Sequence, residues 1–287
     1  MTKGTRPDEG EQLKLRNGQS ASVRLAASTA LLLVSIAAAN PVLAQEAEFD
    51  RFSLSLGVFL TDRDSKARLD GDVPNSGTPV DLEGDLGFDK SDSVFRLDGY
   101  FRFNEKHRID FSAFDLSRKA SKQIDKDIEW NGELFPINVQ VDTSLDLSIY
   151  KLAYTWSFLQ RDTGYLGASA GLYVADIGTS IAAESLGRAT SGGVTAPLPV
   201  IGLRGQYDVS ENWSLRGSAE IFAIDYGDYN GSLYDLYAGL DYQLLEHLAI
   251  GLGYNSVKID VGVSAGNFNG DLDWRYDGGL LFFKFDF

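Results

Sequence analysis

The chain contains no cysteine and only two histidines among its 287 residues. The lack of cysteine excludes a disulfide framework, a thiolate zinc site and a cysteine nucleophile. Two histidines leave little material for a histidine-rich metal site or a Ser-His-Asp triad. Basic residues are also in deficit, with 26 Lys and Arg against 41 Asp and Glu and a formal charge of −15. This balance argues against nucleic acid as a partner, because neutralising phosphates needs clustered basic side chains.

Long apolar runs are equally scarce, and the single one lies near the start, at residues 25–39. Basic residues precede it, Asn40-Pro41 interrupts it, and Val42-Leu43-Ala44 supplies small or apolar residues at the positions that a signal-peptidase site requires. The run is short for a transmembrane helix, which needs about 20 residues. The pattern predicts a signal peptide over 1–44, cleaved after Ala44, and a mature domain over 45–287.

The remaining sequence alternates apolar and polar residues, and no helical period persists. In 150–158, for example, the aromatic residues and Leu152 occupy every second position and oppose Lys151, Ala153 and their neighbours. Successive side chains on a strand point to opposite faces, so this pattern predicts strands with one apolar and one polar face. Ten segments show it: 52–60, 94–103, 107–116, 150–158, 165–175, 198–207, 213–224, 233–242, 247–257 and 274–287.

The connections between these segments alternate in length. Short turns are predicted at 104–106, 159–164, 208–212 and 243–246, and longer loops at 61–92, 117–143, 176–197, 225–232 and 258–273. A soluble sandwich would bury the apolar faces against each other, whereas a membrane barrel points them at lipid. Charges at mid-strand on the polar face, such as Asp98, Arg204 and Glu220, favour the barrel.

The predicted fold is therefore all-β: a single closed antiparallel up-and-down transmembrane β-barrel of ten strands, with eight or twelve strands as alternatives. Segments of about ten residues suit tilted spanning strands. Because backbone polar groups in lipid must be satisfied internally, the sheet must close. The alternation of turns and loops places both ends of the mature chain on the short-turn side.

The chain ends in LLFFKFDF, with Leu281, Phe283, Phe285 and Phe287 on one face. Together with glycine-aromatic strands such as YLGASAGLYV at 165–174, this ending resembles the small bacterial outer-membrane β-barrel superfamily of OmpA-, OmpX-, OmpW- and opacity-type proteins. The resemblance implies an outer-membrane location with periplasmic termini, and contact with outer-membrane lipid and lipopolysaccharide. It also implies that the assembly machinery recognises the strand ending at Phe287. A monomer is expected.

The polar faces of the predicted strands define the expected lumen. Seven basic and six acidic residues fall there: Arg96, Arg102, Arg108, Lys151, Arg204, Arg216 and Lys284 against Asp98, Asp110, Glu220, Asp235, Asp241 and Asp286. Because this balance is nearly neutral, most of the negative charge belongs to the loops. Barrels of about eight strands are just filled by side chains. A ten-stranded barrel is therefore expected to have a salt-bridged plug, with a selective ion path as the alternative interpretation.

Catalytic chemistry has few candidate residues. His107 and His247 each begin a strand after a short turn, which places them at the periplasmic end, away from the outer rim and without an adjacent serine. We therefore assign no catalytic, cofactor-binding or metal-binding residue, and we expect no cofactor and no enzymatic activity.

The first long loop, 61–92, is acidic, with nine Asp and Glu residues. Asp62-Arg63-Asp64 resembles the start of a calcium loop, but Ala67 and Val73 stand where an EF-hand needs Gly and Glu. A solvated acidic loop is the default interpretation, and a looser divalent-cation site is the alternative.

Three further loops carry local signals. Within 117–143, Asn131-Gly132 is a favoured turn pair and predicts a projecting hairpin. Loop 176–197, rich in Gly, Ala, Ser and Thr, is expected to be flexible, and Asp228–Gly231 is expected to form a tight turn.

These features favour an outer-membrane barrel with a plugged polar lumen, acidic surface loops and a structural or surface-interaction role. A narrow channel for small or apolar solutes is the alternative. A lipid-modifying or proteolytic enzyme of the outer membrane is a remote one.

Overall fold

The computed structural model describes residues 50–73, 76–226, 229–265 and 268–287. The predicted signal peptide and its cleavage after Ala44 lie outside these residues. Over the described ranges, no helix has the length and apolar character needed to cross a membrane, a result that concerns helices alone.

The described residues form ten long strands and three short ones. In chain order the strands are β1 (Phe52–Asp70), β2 (Val80–Asp81), β3 (Ser91–Asn104), β4 (His107–Gln123), β5 (Ile128–Trp130), β6 (Glu133–Phe135), β7 (Gln140–Arg161), β8 (Gly164–Ala183), β9 (Arg188–Asp208), β10 (Trp213–Tyr226), β11 (Tyr229–Leu245), β12 (Leu248–Ala265) and β13 (Phe268–Asp286).

The ten long strands form one closed antiparallel barrel. Each pairs with the next long strand along the chain, and β1 pairs with β13 over its full length, from Ser53↔Asp286 to Asp70↔Asn269. The short strand β2 adds to β1, while β5 and β6 form a separate two-stranded sheet. The prediction of ten strands is confirmed, and 117–143 does not contribute an extra pair to the wall.

The short turns also lie where they were predicted. They connect the long strands at residues 105–106, 162–163, 209–212 and 246–247. The backbone N–H groups of Arg51 and Phe52 donate to the carbonyl oxygen of Phe287 at 2.7 and 2.9 Å. Both ends of the described chain therefore lie at the short-turn end of the barrel, as expected.

The long-loop end differs from the sequence-based prediction, because most of the predicted loops are continuations of strands. Residues 176–183 pair with 188–195, so the segment expected to be flexible is a paired hairpin around a 3-10 turn at Glu184–Leu186. Gly187 closes this turn in the left-handed region, with φ 62°. Buried Ile181 and Ala183 anchor the hairpin from inside the barrel. Similarly, β11 begins at Tyr229, so Tyr229–Gly231 lie in a strand and not in the predicted turn.

Halfway along the barrel the polar and apolar faces of the strands change places, and β7 shows this most clearly. Near the short turns its outward residues are apolar from Tyr150 to Phe158, and its inward residues include Lys151 and Thr155. From Tyr150 toward the long loops the same alternation continues. There the inward residues from Val141 to Ile149 are apolar except for Thr143, and the outward ones are polar. We call these two regions the short-turn half and the long-loop half.

Two seams of the described wall are paired over only part of their strands. β3 and β4 pair only from Asn104↔His107 to Arg96↔Phe114, and the second seam lies between β9 and β10. β9 pairs with β8 along its whole length, from Gly164↔Tyr207 to Ala183↔Arg188. With β10 it pairs only from Asp208↔Ser214 to Ile201↔Ile221, although both strands continue beyond that point. The unpaired stretch of β9 contains Pro197 and Pro199, which have no N–H to donate.

The long-loop end is covered by chain segments that fold over its opening. We define the cap as residues 80–90 and 124–139, whose apolar side chains pack together and onto the ends of the strands. Its hairpin turns at Asn131 and Gly132, with φ 51° and 77°, so the predicted turn is confirmed. The predicted projection is wrong: Ile128, Trp130 and Phe135 are buried, and the hairpin folds inward.

Candidate functional site

The lumen of the short-turn half is filled by the predicted charged side chains. Glu220, which has no solvent exposure, lies at its centre and accepts hydrogen bonds from Lys151, from Arg204 at 2.7 Å and from the Tyr173 hydroxyl at 3.2 Å. Since each buried charge has an opposite charge in contact, the cost of removing these groups from water is offset. The salt-bridged plug inferred from the sequence is therefore present.

The network extends from Glu220 toward β4. Arg204 also pairs with Asp110 at 3.3 Å, and Asp110 pairs with Arg108 at 3.1 Å. The Thr155 hydroxyl donates to the same carboxylate at 2.5 Å. Arg108 in turn lies over the rings of Tyr100 and Tyr165, 4.7 Å from each centroid. Arginine and aromatic side chains therefore close the lumen on this side.

A second branch crosses the barrel from Glu220 toward β3. Tyr173 donates to Asp235 as well, and the Asn255 side-chain amide donates to Asp235 at 2.5 Å. Arg96 then donates to Asn255 at 2.5 Å and pairs with Asp98 at 2.9 Å. Asn255 thus connects an acidic and a basic residue from opposite walls of the barrel.

Arg102, also predicted for the lumen, lies over the ring of Tyr100 at 5.2 Å from its centroid. Two further pairs account for the remaining predicted residues. Arg216 pairs with Asp241 at 2.6 Å, and Lys284 pairs with Asp286 at 2.8 Å. The space left among these side chains is a cavity of about 90 Å³ bordered by Arg96, Tyr100 and other lumen residues. Such a space holds several water molecules. It is far smaller than the aqueous channel of a barrel with 16–18 strands.

Above the polar network the interior is apolar. Phe59, Phe114, Trp274, Tyr276 and Phe282 pack across the barrel with the aliphatic side chains of β7 to β9. The ring of Tyr276 meets those of Phe59 and Phe114 edge-on, with centroids 5.6 and 5.7 Å apart.

Glycine makes room for this layer. A side chain at Gly251 would overlap the ring of Phe282, and a Cβ at Gly57 would lie 2.7 Å from the Phe282 Cβ. The glycine content of the strands therefore follows in part from how tightly the lumen is packed.

A small polar cluster lies between this apolar layer and the cap. Arg118 donates to Glu83 at 2.8 Å, and both side chains are buried. Arg63 is buried beside them, but its nearest carboxylate, that of Asp92, is 3.9 Å away. Neither terminal nitrogen of Arg63 has a hydrogen-bond partner among the described residues. Burial and the nearby charge of Arg118 lower the pKa of the Arg63 guanidinium.

The acidic segment 61–92 is therefore not a solvated loop throughout. Residues 61–70 continue strand β1, and Glu83 and Asp70 are buried. The default interpretation was wrong because the carboxylate of Glu83 is needed inside, opposite Arg118. Outward-facing acids such as Asp62 and Asp64 remain on the surface. Within the described ranges, no group of three or more His, Asp or Glu residues is arranged to hold a metal ion.

Both histidines lie at the short-turn end, as predicted. His107 stacks on Tyr154, with ring centroids 5.8 Å apart, and His247 stacks on Phe287 at 6.0 Å. Aromatic partners at strand ends are typical of the interfacial girdle of membrane barrels.

Sequence reasoning identified the charged lumen residues but missed Tyr173, Thr155 and Asn255, which link them. It also missed the Arg63, Arg118 and Glu83 cluster, because these residues are far apart in the chain and carry no local signal. Tyr173, Thr155 and Asn255 could have been found as polar residues at inward positions of the predicted strands.

Comparisons with known proteins address the fold. No family model matches the chain, and no curated protein matches it. Among solved structures, the outer membrane protease OmpT from Escherichia coli is similar with a TM-score of 0.58 at 11% identity, over 85% of this chain and 99% of that chain.

Two other solved structures are more distant. Ail, the attachment invasion locus protein of Yersinia pestis, gives a TM-score of 0.37 at 12% identity over 81% of this chain and 97% of its own. The monoaromatic hydrocarbon channel CymD gives 0.37 at 10% identity over 83% and 89%. Scores this low add nothing to the assignment, and the likeness to OmpT shows the fold alone. The chain therefore has the closed antiparallel β-barrel fold that its alternating strands predicted and that this outer membrane protease also has.

Proposed function

We propose that this chain is a non-conducting, non-enzymatic barrel of the bacterial outer membrane, with a structural or surface-interaction role. The observation that carries the proposal is the filled interior: the ion-paired network around Glu220 and the aromatic layer above it occupy the lumen in succession. A solute crossing the barrel would have to break buried ion pairs and then displace packed rings, and both steps are costly.

The outward surface of the short-turn half supports the membrane location. Its exposed side chains are apolar over about nine residues of each strand, as between Tyr150 and Phe158 on β7. This is close to the length that a tilted spanning strand needs. Trp156, Trp213 and Phe287 are exposed near the short turns, where an aromatic girdle would meet the interface.

We further propose that the short turns and both termini face the periplasm, because short periplasmic turns and longer outer extensions are usual in such barrels. The long-loop half and its cap then form the cell-surface end, beside lipopolysaccharide. The strand ending at Phe287 would serve assembly, and the protein would act as a monomer. The positions of His107 and His247 at the opposite end, stacked on aromatic rings, support a non-enzymatic role.

Planar-bilayer recording of the refolded protein tests the proposal. We expect no stable single-channel steps, while the same preparation migrates differently on a gel before and after boiling, which shows that a folded barrel was added. Stable conductance steps from heat-modifiable protein would contradict the plugged lumen. Identical migration of unheated and boiled samples would contradict the membrane barrel itself.

A further inference from the structure

The seam between β9 and β10 adjoins a second, apolar cavity in the long-loop half. This cavity measures about 50 Å³ and is lined mainly by aliphatic side chains, by Trp130 of the cap and by a stretch of β9 from Gly192 to Ala196. That stretch of β9 lies beyond Ile201, where pairing with β10 stops. The wall of the cavity on this side is thus a strand edge that β10 does not cover.

The seam begins within the apolar outer band. Its last paired residues, Ile201 and Ile221, point outward and are 64% and 57% exposed. On β8 and β9 the outward residues stay apolar up to Val174 and Pro197, and the first polar pair above them is Asp176↔Thr195. The unpaired edge of β9 therefore begins inside the proposed membrane band and continues above it.

The apolar side chains that line the cavity favour an alkyl chain as its ligand. Its walls include Leu69, Leu82, Leu145, Ile177 and Leu272. Two charged residues lie at its edge, Arg68 and Asp271, but they form an ion pair with each other, and Arg68 also pairs with Asp70 at 3.1 Å. Among the described residues that line the cavity, no charge is left over to recognise an anionic head group. A narrow apolar space suits the end of one alkyl chain, since burying each CH₂ gains about 0.8 kcal/mol.

We propose that the seam between β9 and β10 is a lateral entry through which an acyl chain of a surrounding membrane lipid inserts into this cavity. The proposal rests on the membrane location given above. The continuity of the opening with the apolar band favours a chain that arrives from the bilayer over a free fatty acid that arrives from water. Pro197 and Pro199 lie in this stretch of β9, which pairs with β8 alone, and neither residue has a backbone N–H to donate.

The four tryptophans allow a direct test. Trp130 lines the cavity and is 2% exposed, whereas Trp156 and Trp213 lie on the outer surface. A W156F/W213F/W274F variant reports on Trp130 alone, and a W130F/W274F variant reports on the outer surface. Both variants are reconstituted in vesicles of phosphatidylcholine with brominated acyl chains, because bromine quenches indole fluorescence only at close range.

Filling the cavity provides the matched control. A Cβ at Gly192 would lie 2.6 Å from a methyl group of Leu69, so Gly192→Leu places its side chain in the cavity. Gly178→Leu makes the same change at the neighbouring height of β8, where the nearest atom to a new Cβ is 3.9 Å away. We expect quenching of Trp130 in the brominated vesicles, its loss with Gly192→Leu and its persistence with Gly178→Leu.

Three results would overturn the proposal, and they differ from one another. If Trp156 and Trp213 are quenched but Trp130 is not, the barrel lies in the membrane and no chain enters. If the outer tryptophans are not quenched either, the membrane location fails and the entry fails with it. If Trp130 is quenched only when brominated stearic acid is added to unlabelled vesicles, the ligand is a free acid and not a membrane lipid.

Discussion

The two halves of the barrel use one backbone in opposite ways. In the short-turn half charged side chains lie inside and apolar ones outside, whereas in the long-loop half this arrangement is inverted without any break in the strands. The inversion occurs between Ile149 and Lys151 on β7. Because the alternation of side chains is the same in both halves, the surroundings of the strand, and not its local geometry, decide which face is apolar.

The difference also concerns what holds each half together. In the proposed membrane location, lipid would provide no hydrophobic drive for closing the short-turn half. Its interior would then depend mainly on ion pairs and hydrogen bonds such as those around Glu220. The long-loop half resembles a water-soluble barrel, with Leu147, Ile149 and Trp274 buried by the hydrophobic effect. One chain thus contains two kinds of β-barrel core stacked end to end.

The largest effect is expected from Glu220→Leu, which tests the polar core. The change leaves Lys151 and Arg204 buried with less compensation, and we expect it to lower the free energy of unfolding by about 4 kcal/mol. Urea titration in lipid vesicles, followed by the loss of heat-modifiable migration, measures this. Glu220→Gln keeps the shape and should cost less. An unchanged urea midpoint for Glu220→Leu would show that the network is not what stabilises this half.

An intermediate effect is expected from a charge on the outer face. Leu152 is 57% exposed in the short-turn half, and Leu152→Arg should cost about 2–4 kcal/mol if this face meets lipid. Asp146→Arg makes a comparable charge on the same face of β7 in the long-loop half. There we expect a loss of about 1 kcal/mol, because the hydrogen bond from Ser117 is removed. The same vesicle titration compares the two, and equal costs would contradict a membrane boundary near Tyr150.

The sequence contained enough information for the short-turn half and too little for the other. Segments such as 150–158 could be recognised because apolar residues at every second position contrast with charges between them. In 176–183 the contrast is weak, since Gly178 and Ser180 face outward while Ile177 and Ile181 face inward, and small residues resemble a loop by composition. The pairing with β9 that fixes this segment is not local in sequence.

The seam and the cap also show which features could be predicted from local sequence and which depend on distant contacts. Pro197 and Pro199 were visible as residues that central strands avoid, and they could have indicated an unpaired edge. The turn at Asn131-Gly132 was predicted correctly from its dipeptide, because type I′ turns need positive φ at both positions. Whether that hairpin projects or folds inward depends on contacts with β1 and β9, as in the N–H of Asn131 donating to Leu69 at 2.9 Å.

The smallest effect is expected from Arg63→Met in the cluster below the cap. It sharpens the comparison because it removes a buried charge from the half whose interior is otherwise mostly apolar. Arg63 is buried without a close carboxylate, so an apolar side chain of similar length should change the stability of the cap by no more than about 1 kcal/mol. Arg118→Met is the matched control, because it leaves Glu83 buried without its partner and should cost about 3 kcal/mol.

Amide hydrogen exchange measures how much each of these two variants destabilises the cap. The N–H of Leu82 donates to Ser65 at 2.9 Å and reports on whether the cap is closed over the barrel. A loss of about 3 kcal/mol should speed its exchange by roughly a hundredfold in Arg118→Met, since 1.4 kcal/mol corresponds to a factor of ten. In Arg63→Met the rate should stay within about tenfold of the parent. If Arg63→Met opened the cap as much as Arg118→Met, Arg63 would be contributing as an ion pair, and the long-loop half would depend on buried charge just as the short-turn half does.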